Sequence, residues 1–365
     1  MVPMTEPVRF DPSVEKAADR EEELTREILD QMAQTQSENA ERHRHAHRDA
    51  HAKSNAVVKA SLTVHDGLPA ELAQGIFARP ATYEVVARLS SAAGDIRSDT
   101  VPAARGFAIK IIGVDGERLL PELGGHNQDF LMVNFPTLAF GTIGKYRQML
   151  GPLERSGEAP ELVRKLVAAG ARASEDLVEK VTGSSNATLD GLGRDNNNPL
   201  GETYFTQAAV RYGDHIAKVS LAPRSENVRA LTGQPVDVDE FSTLRDAASE
   251  FFRGQGAEYE LRVQLCTDLE SMPVEDAAVL WDEAVSPFRA VATLTIQPQD
   301  SFAPARQRYG DDVLSFNPWN GVVEHQPLGS IMRVRKPAYE RSTAYRHSRN
   351  DVERLEPDSL GQIPD

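Results

Sequence analysis

Short runs of β-branched and aromatic residues, separated by Gly, Pro and Asp, recur along much of this sequence. Residues of the first kind favour strands, and the intervening residues favour turns. Short strands joined by turns pair readily with their neighbours in antiparallel order. The sequence therefore predicts an antiparallel sheet or barrel, with strands at 57–64, 83–89, 106–112, 130–133, 204–212, 215–221, 258–266 and 289–296.

The segment from residue 13 to residue 55 contains neither Gly nor Pro and is rich in Glu, Ala, Gln and Arg. This composition predicts one long helix or two shorter ones. Because its apolar positions are sparse, we expect the helix to pack across the main domain or onto a second subunit. Further helices are predicted at 145–150 and 160–182, a loop at 191–201, and a loosely held charged tail at 349–365.

Taken together, these patterns predict an α+β protein that combines helices with an antiparallel sheet or barrel. A chain of 365 residues is long enough to bury one large core. We expect three parts: an N-terminal helical arm over residues 1–50, a main domain over 51–350 that contains the sheet or barrel, and a C-terminal tail over 351–365.

Charge and composition argue against several classes of function. The formal charge of -15 argues against a nucleic-acid partner, which requires an excess of Lys and Arg. No run of about 18 apolar residues is present, so no membrane span is expected. Cys266 is the single cysteine, which excludes an internal disulfide and a thiolate-bound metal cluster. The first residues lack the basic start and apolar run of a secretory signal, so we expect a cytoplasmic protein.

Five of the nine histidines lie between residues 43 and 65. His43, His47 and His51 are spaced at i, i+4 and i+8, which on a helix places them along one face. Such a row could bind Zn or Ni through its imidazole nitrogens. The alternative is that histidines near a helix end are solvated cations, which are favourable at that position. Zinc sites usually add carboxylate or Cys ligands, which favours the second interpretation.

One of these histidines lies in a segment that resembles catalases. Residues 48–53 read Arg-Asp-Ala-His-Ala-Lys, similar to the catalase segment with its catalytic His-Ala-Lys, and Thr-Val-His-Asp follows at 63–66. Residues 86–94 and 105–110 resemble two catalase strands, the second through the string Arg-Gly-Phe-Ala. The Gly-His-Asn at 125–127 resembles the turn that presents the catalase asparagine.

The resemblance continues towards the other end of the chain. Residues 316–319 read Phe-Asn-Pro-Trp, which is a catalase element, and 335–339 have the form R-x-x-x-Y that supplies the catalase iron ligand. Arg346 follows at the family spacing. The resemblance covers roughly residues 47–350, although between 141 and 314 only the order of strands and helices agrees.

The resemblance implies a catalase-like barrel that binds haem b and acts on a small-molecule peroxide. Tyr339 would ligate the iron, and Arg335 would hydrogen-bond its phenolate oxygen. Three arginines would hold the haem propionates, and Phe140 would stack on the porphyrin. The residues implied on the opposite face are His51, Asn127 and Ser90, and the propionate-binding arginines are Arg48, Arg88 and Arg346.

These residue types suit peroxide chemistry. A tyrosine with a pKa near 10 binds iron as phenolate only when a neighbouring charge stabilises the anion, as ferric iron and Arg335 would. A neutral imidazole at His51 could take the proton from a bound peroxide and return it to the departing oxygen. As in the family, Asn127 would hydrogen-bond the peroxide and Ser90 would orient the imidazole.

Several departures from the family favour peroxidase over strict catalase activity. Ala50, Leu89 and Ala92 stand where catalases usually have Val, Phe and Val, so a wider approach that admits organic hydroperoxides is expected. Full catalases also continue well beyond the tyrosine into a helical region, for which this sequence leaves no room. Homo-oligomers are common in the family, and the long N-terminal helix would suit such an interface.

Two other functions remain open on the sequence alone. The same haem site could rearrange a fatty-acid hydroperoxide without net reduction, as some catalase-related proteins do. Alternatively, the chain could bind haem or metal without turnover, with the histidines at 43–51 as the site.

Overall fold

The computed structural model describes residues 6–101, 103–138, 140–148 and 196–365. Within these ranges the chain forms one antiparallel sheet of nine strands. The strands are β1 (Ser54–Val64), β2 (Thr82–Ser91), β3 (Arg105–Ile112), β4 (Asn127–Val133), β5 (Tyr204–Phe205), β6 (Val210–Tyr212), β7 (His215–Pro223), β8 (Ala257–Leu265) and β9 (Arg289–Ile296).

The sheet closes into an eight-stranded barrel. Its order is β5-β4-β3-β2-β1-β9-β8-β7-β6, and β5 also pairs with β7, so that β6 remains outside the closed ring. Closure leaves the eight ring strands paired on both sides, which removes the exposed edges of an open sheet. A large apolar cluster fills the barrel, with Phe107 packed edge-on against Tyr204 and Tyr259. The predicted α+β barrel is confirmed.

Strand positions agree closely with the sequence pattern, with one exception. The prediction of a single strand at 204–212 is wrong, because two short strands, β5 and β6, occupy this range. Gln207 has a φ of 63°, in the left-handed region that residues other than Gly rarely adopt. The amide of Ala208 donates to the carbonyl of Thr206 at 2.7 Å. This tight turn interrupts the ladder between the two short strands.

The N-terminal helix is shorter than the prediction. Helix α1 (Glu21–His43) ends where Arg44 takes a φ of 55° and its amide caps the carbonyls of Ala40 and Glu41. Residues 44–53 are therefore not helical, and we call them the strap because they connect α1 to β1. The prediction that His43, His47 and His51 share one helix face is wrong for the same reason.

The other described helices surround the barrel. They are α2 (Glu226–Arg229), α3 (Thr243–Gly254), α4 (Pro304–Arg308) and α5 (Ser330–Asn350), and residues 143–148 are also helical. Residues 143–148 agree with the start of the helix predicted at 145–150. The predicted helix at 160–182 lies outside the described residues, and so does the first part, 191–195, of the loop predicted at 191–201. Of the rest of that loop, Pro199–Gly201 form a short 3-10 helix. Among the described helices, none is long and apolar enough to cross a membrane.

Helix α1 packs against α5. Ile28 on α1 contacts Val334 on α5 and Ile143, in a small apolar cluster of their own. Beside it, the Arg333 guanidinium binds three carboxylates at 2.6–2.9 Å, and these belong to Glu15, Glu21 and Glu275. Since Glu15 and Glu21 belong to the N-terminal segment, this network anchors the arm to α5.

The C-terminal tail is held firmly, contrary to the prediction. The Glu356 carboxylate accepts a hydrogen bond from Lys110 on β3 at 2.7 Å and another from Asn127 at 3.0 Å. Lys110 also binds Asp129 at 2.9 Å, and its side chain is fully buried. Farther along, Ile363 packs against Val57 and Val86 on the outer face of the barrel. The tail therefore covers one side of β1–β4.

The Lys110 network predicts a large effect on stability. Lys110→Met should lower the free energy of unfolding by about 3–5 kcal/mol, because it leaves two buried carboxylates without their cation. Urea denaturation at neutral pH measures this change. Arg20→Met is the control, since its pair with Glu23 is exposed and should contribute under about 1 kcal/mol. Equal midpoints for the two variants would contradict the assignment.

Candidate functional site

A cavity of about 170 Å³ lies between the strap, one end of strands β2–β4 and helix α5. Ser90, Gly106 and Val133 bring three neighbouring strands to this end, because Ser90 pairs with Gly106 and Gly106 with Val133. Its lining includes His51 and Tyr339, four arginines and a wall of apolar side chains. The apolar wall includes Ala50, Phe107, Ala108, Leu131, Met132, Val133, Phe205 and Phe316.

The backbone of His51 is held in an unusual conformation. Its φ is 54°, in the left-handed region. The His51 and Ala52 amides donate to the carbonyls of Ala92 and Ala93 at 3.1 and 3.0 Å. From the other side, Arg88 donates to the carbonyls of His51 at 2.9 Å and Ala52 at 3.1 Å. A strained residue persists where surrounding bonds hold it on both sides, as they do here.

The His51 ring lies directly against the backbone of β3. Its Nδ1 is 3.0 Å from Ser90 Oγ, within hydrogen-bonding distance. A Cβ at Gly106 would come within 2.5 Å of the same Nδ1, so residue 106 must be Gly for the ring to occupy this position. Ser90 and Gly106 therefore fix both the hydrogen bond and the plane of the imidazole.

Burial lowers the pKa of His51 to about 3, and the positive charges of Arg88, Arg335 and Arg48 add to this effect. The imidazole is therefore neutral across the ordinary pH range. In the tautomer whose Nδ1–H donates to Ser90 Oγ, the lone pair of Nε2 is available as a base.

Tyr339 and Arg335 lie on one face of α5, one turn apart, and both line the cavity. Burial raises the pKa of Tyr339, whereas the charge of Arg335 lowers it. The phenol therefore stays protonated unless a further positive charge stabilises its anion. An Arg335 Nη1 contact at 3.5 Å to the sulfur of Met332 helps to hold the guanidinium beside the phenol.

Three further arginines gather at another side of the cavity. Arg48 and Arg346 both donate to main-chain carbonyls of the segment 310–314, and Arg88 lies 3.4 Å from the Asp311 carboxylate. Burial is the main cause that lowers the pKa of each, and the three guanidinium groups repel one another. An anionic ligand in the cavity would relieve this repulsion.

The lining fits an iron porphyrin with two carboxylates. In the described part of the chain, four arginines line the cavity against one lining carboxyl group, that of Asp49. The Nε atoms of Arg88 and Arg346 are buried without a hydrogen-bond partner. Arginine is well suited to pair with planar carboxylates, and phenolate oxygen is a ligand for ferric haem. The donor set on this cavity therefore matches haem.

Asn127 lies away from this cavity. It begins β4 opposite Ile112, whereas the cavity adjoins the other end of the strand at Val133. Six residues of strand correspond to about 20 Å. Its amide instead donates to the Glu356 carboxylate at 3.0 Å. The prediction that Asn127 lies in this cavity is therefore wrong.

The sequence reasoning missed two amide side chains near the cavity. Gln207 is part of the lining, and its Nε2 donates to the carbonyl of Thr137 at 2.6 Å. Asn134 lies outside the lining: it follows Val133, and its backbone and side chain both bond Arg105, beside Gly106. The signal that could have identified it is the string Val-Asn-Phe-Pro at 133–136, which directly follows a strand.

Two other predictions differ from the geometry. Phe140 is buried but is not part of the cavity lining. His43 and His45 bond different carboxylates, those of Asp95 at 2.6 Å and Asp312 at 2.7 Å. Among the described residues, no group of three or more His, Cys, Asp or Glu could hold a metal ion. His43 and His45 are therefore hydrogen-bonded to two separate carboxylates beside the strap.

Comparison with known proteins finds similarity at the level of the fold and not of the sequence. No family model matches the sequence, and no curated protein matches it. A fungal catalase structure is similar at 17% identity and a TM-score of 0.58, over 88% of this chain and 62% of that one. Catalase A from Saccharomyces cerevisiae is 17% identical with a TM-score of 0.58, over 87% of this chain and 66% of that one. A bacterial catalase is 14% identical with a TM-score of 0.57, over 87% of this chain and 62% of that one.

The chain thus spans a little under two thirds of the length of these catalases. At 14–17% identity the likeness shows the fold alone: the chain has a catalase-like fold.

Proposed function

We propose that the chain is a haem enzyme that breaks down hydrogen peroxide and organic hydroperoxides. The observation that carries the proposal is that His51 and Tyr339, 288 positions apart in the numbering, line one cavity together with four arginines. A neutral base, a phenol and a cradle of cations in one enclosed space are what peroxide chemistry at a haem requires.

Five residues would hold haem b. Tyr339 would ligate the iron through its phenolate oxygen, and Arg335 would stabilise that anion. Arg48, Arg88 and Arg346 would bind the propionates. When bound, haem b supplies a ferric iron that coordinates the peroxide and exchanges electrons with it.

His51 performs the proton transfers in this proposal. Its neutral Nε2 would take a proton from one peroxide oxygen, while Ser90 keeps Nδ1 in place. The same nitrogen then returns the proton to the departing oxygen, so that water or an alcohol leaves. A positioned imidazole of this kind contributes roughly 10²–10⁴-fold to such a step.

The apolar wall of the cavity, including Ala50 next to His51, leaves room for the carbon chain of an organic hydroperoxide. Analysis of the products from a fatty-acid hydroperoxide separates reduction, which yields the alcohol, from rearrangement.

Tyr339→Phe tests the iron ligand. The variant should lose high-spin haem binding and peroxide consumption, because the phenyl ring has no oxygen to bind iron. Haem titration followed by absorption spectroscopy measures this loss. Tyr345→Phe removes a hydroxyl from the same helix outside the cavity lining and should bind haem normally. Full haem binding by Tyr339→Phe would refute the assignment.

The pH profile tests the base. Since the pKa of His51 is lowered to about 3, its neutral form persists above that pH and is lost only as the pH falls towards 3. The kcat/KM for hydrogen peroxide should therefore be flat between about pH 5 and 8 and fall below about pH 4. Circular dichroism at each pH controls for unfolding. An apparent pKa near 6.5 would be inconsistent with this role.

Gly106→Ala tests the position of the imidazole. The added Cβ would lie 2.5 Å from His51 Nδ1 and 2.8 Å from Ser90 Oγ, so the ring must move. We expect peroxide consumption to fall at least about tenfold while haem binding is retained. The control is Gly144→Ala, where a Cβ meets no atom within 4 Å. Unchanged kinetics in Gly106→Ala would show that ring placement is not limiting.

A further inference from the structure

We propose that Asp49 is a positioning residue, whose hydrogen bond to Ser342 ties the strap to α5 and so sets the separation between His51 and Tyr339. The proposal rests on the proposed function, in which those two residues act on opposite sides of one haem. Asp49 and Ser342 both line the cavity, yet neither has a part in the chemistry described above.

The hydrogen bond joins the two elements that carry the site. Ser342 Oγ donates to Asp49 Oδ1 at 2.9 Å. Asp49 precedes His51 by two residues in the strap, and Ser342 follows Tyr339 by three residues, one turn along α5. Any change in the length or angle of this bond therefore shifts the base relative to the phenol.

Ser342 is also bound by a third element. Gln36, buried on α1, donates through Nε2 to the carbonyl of Ser342 at 3.2 Å and to the carbonyl of His47 at 2.8 Å. The N-terminal helix thus bridges the same two elements through main-chain groups. Near His51, the side-chain bond of Asp49 and the amide of Gln36 both join the strap to α5.

The opposite side of the strap is fixed independently. A Cβ at Gly94 would lie 2.1 Å from the carbonyl oxygen of Asp49, so the strap rests directly on the backbone that follows β2. Arg88 holds the carbonyls of His51 and Ala52 on that side. Asn350, at the end of α5, bonds the main chain of Ala46 at 2.9 Å, but that contact lies five residues before His51. The bond from Asp49 attaches the strap to α5 only two residues from His51.

Burying a carboxyl group at position 49 is energetically unfavourable unless it forms the hydrogen bond to Ser342. Burial raises the pKa of Asp49, which faces the same enclosed space as the apolar wall. A hydrophobic residue of similar size would fill the volume without the cost of desolvating a polar group. The hydrogen bond to α5 accounts for the acid.

The test compares three variants and two controls. Asp49→Val and Ser342→Ala each remove the bond, whereas Asp49→Asn keeps an oxygen that can accept from Ser342. Ser342→Ala is conservative on a helix and guards against misfolding of Asp49→Val. The controls are Asp268→Val and Ser271→Ala, which break a Ser–Asp hydrogen bond of 2.7 Å in an exposed turn outside the cavity lining.

The first readout is the haem-loaded protein. A released strap lets the His51 ring approach the iron, so Asp49→Val and Ser342→Ala should convert part of the high-spin ferric spectrum to low-spin. Haem transfer to an apoglobin should accelerate about fivefold to tenfold in both. The double variant should be no worse than the stronger single one, because both remove the same bond. Asp49→Asn and both controls should match the wild type.

The second readout needs no haem. In the apoprotein, hydrogen exchange of the His51 and Ala52 amides should accelerate about tenfold in Asp49→Val and Ser342→Ala, and remain at the wild-type rate in the controls. If the wild type binds no haem, the proposed function fails and this exchange rate alone decides the role of Asp49.

Two results would overturn the proposal. One is a wild-type spectrum, haem-transfer rate and exchange rate in both Asp49→Val and Ser342→Ala. The other is an Asp49→Asn variant as impaired as Asp49→Val, which would assign the effect to charge instead of the hydrogen bond. A change in melting temperature without a change in spin state would likewise reduce the pair to an ordinary stabilising contact.

Discussion

The hydrogen bonds from Arg88 to the strap are the interaction on which the rest of the site depends. Its guanidinium binds the carbonyls of His51 and Ala52 and holds the backbone of His51 in the left-handed region. That conformation turns the imidazole onto Gly106 and Ser90. Arg88 itself comes from the central part of β2, whose position is set by pairing with β1 and β3. The barrel therefore positions the base through one rigid, planar side chain.

The pKa values of the groups that line the cavity follow from burial and from the charges of its arginines. Burial, together with the charges of Arg88, Arg335 and Arg48, lowers the pKa of His51 and keeps it neutral. Burial raises the pKa of Tyr339, and the charges of Arg335 and Arg48 oppose that shift. Asp311 and Asp312 partly offset the repulsion among Arg48, Arg88 and Arg346. In the proposed enzyme, each haem propionate would add a further attraction to these cations.

The barrel strands and the two central residues could be predicted from the sequence because short-range signals specify them. Alternation marks the strands, and His51 and Tyr339 lie in recognisable strings. The strap was missed because one left-handed residue, Arg44, ends a segment of high helix propensity. Helix α5 was not predicted either, and Pro337 lies in its interior. Asn127 was misassigned because a turn motif does not report its position along the paired strand. The role of Asp49 depends on a partner 293 residues away.

The Lys110 network has a consequence for how the protein forms in the cell. Lys110 and Asp129 are paired early in the chain, but their third partner, Glu356, is translated more than 220 residues later. At ordinary rates of synthesis, about 5–20 residues per second, this interval lasts on the order of ten seconds or more. During this interval Lys110 and Asp129 form a one-to-one pair, and the bonds that Glu356 accepts from Lys110 and Asn127 are missing. The side of β1–β4 that the tail covers therefore stays open to solvent until the tail has been synthesised.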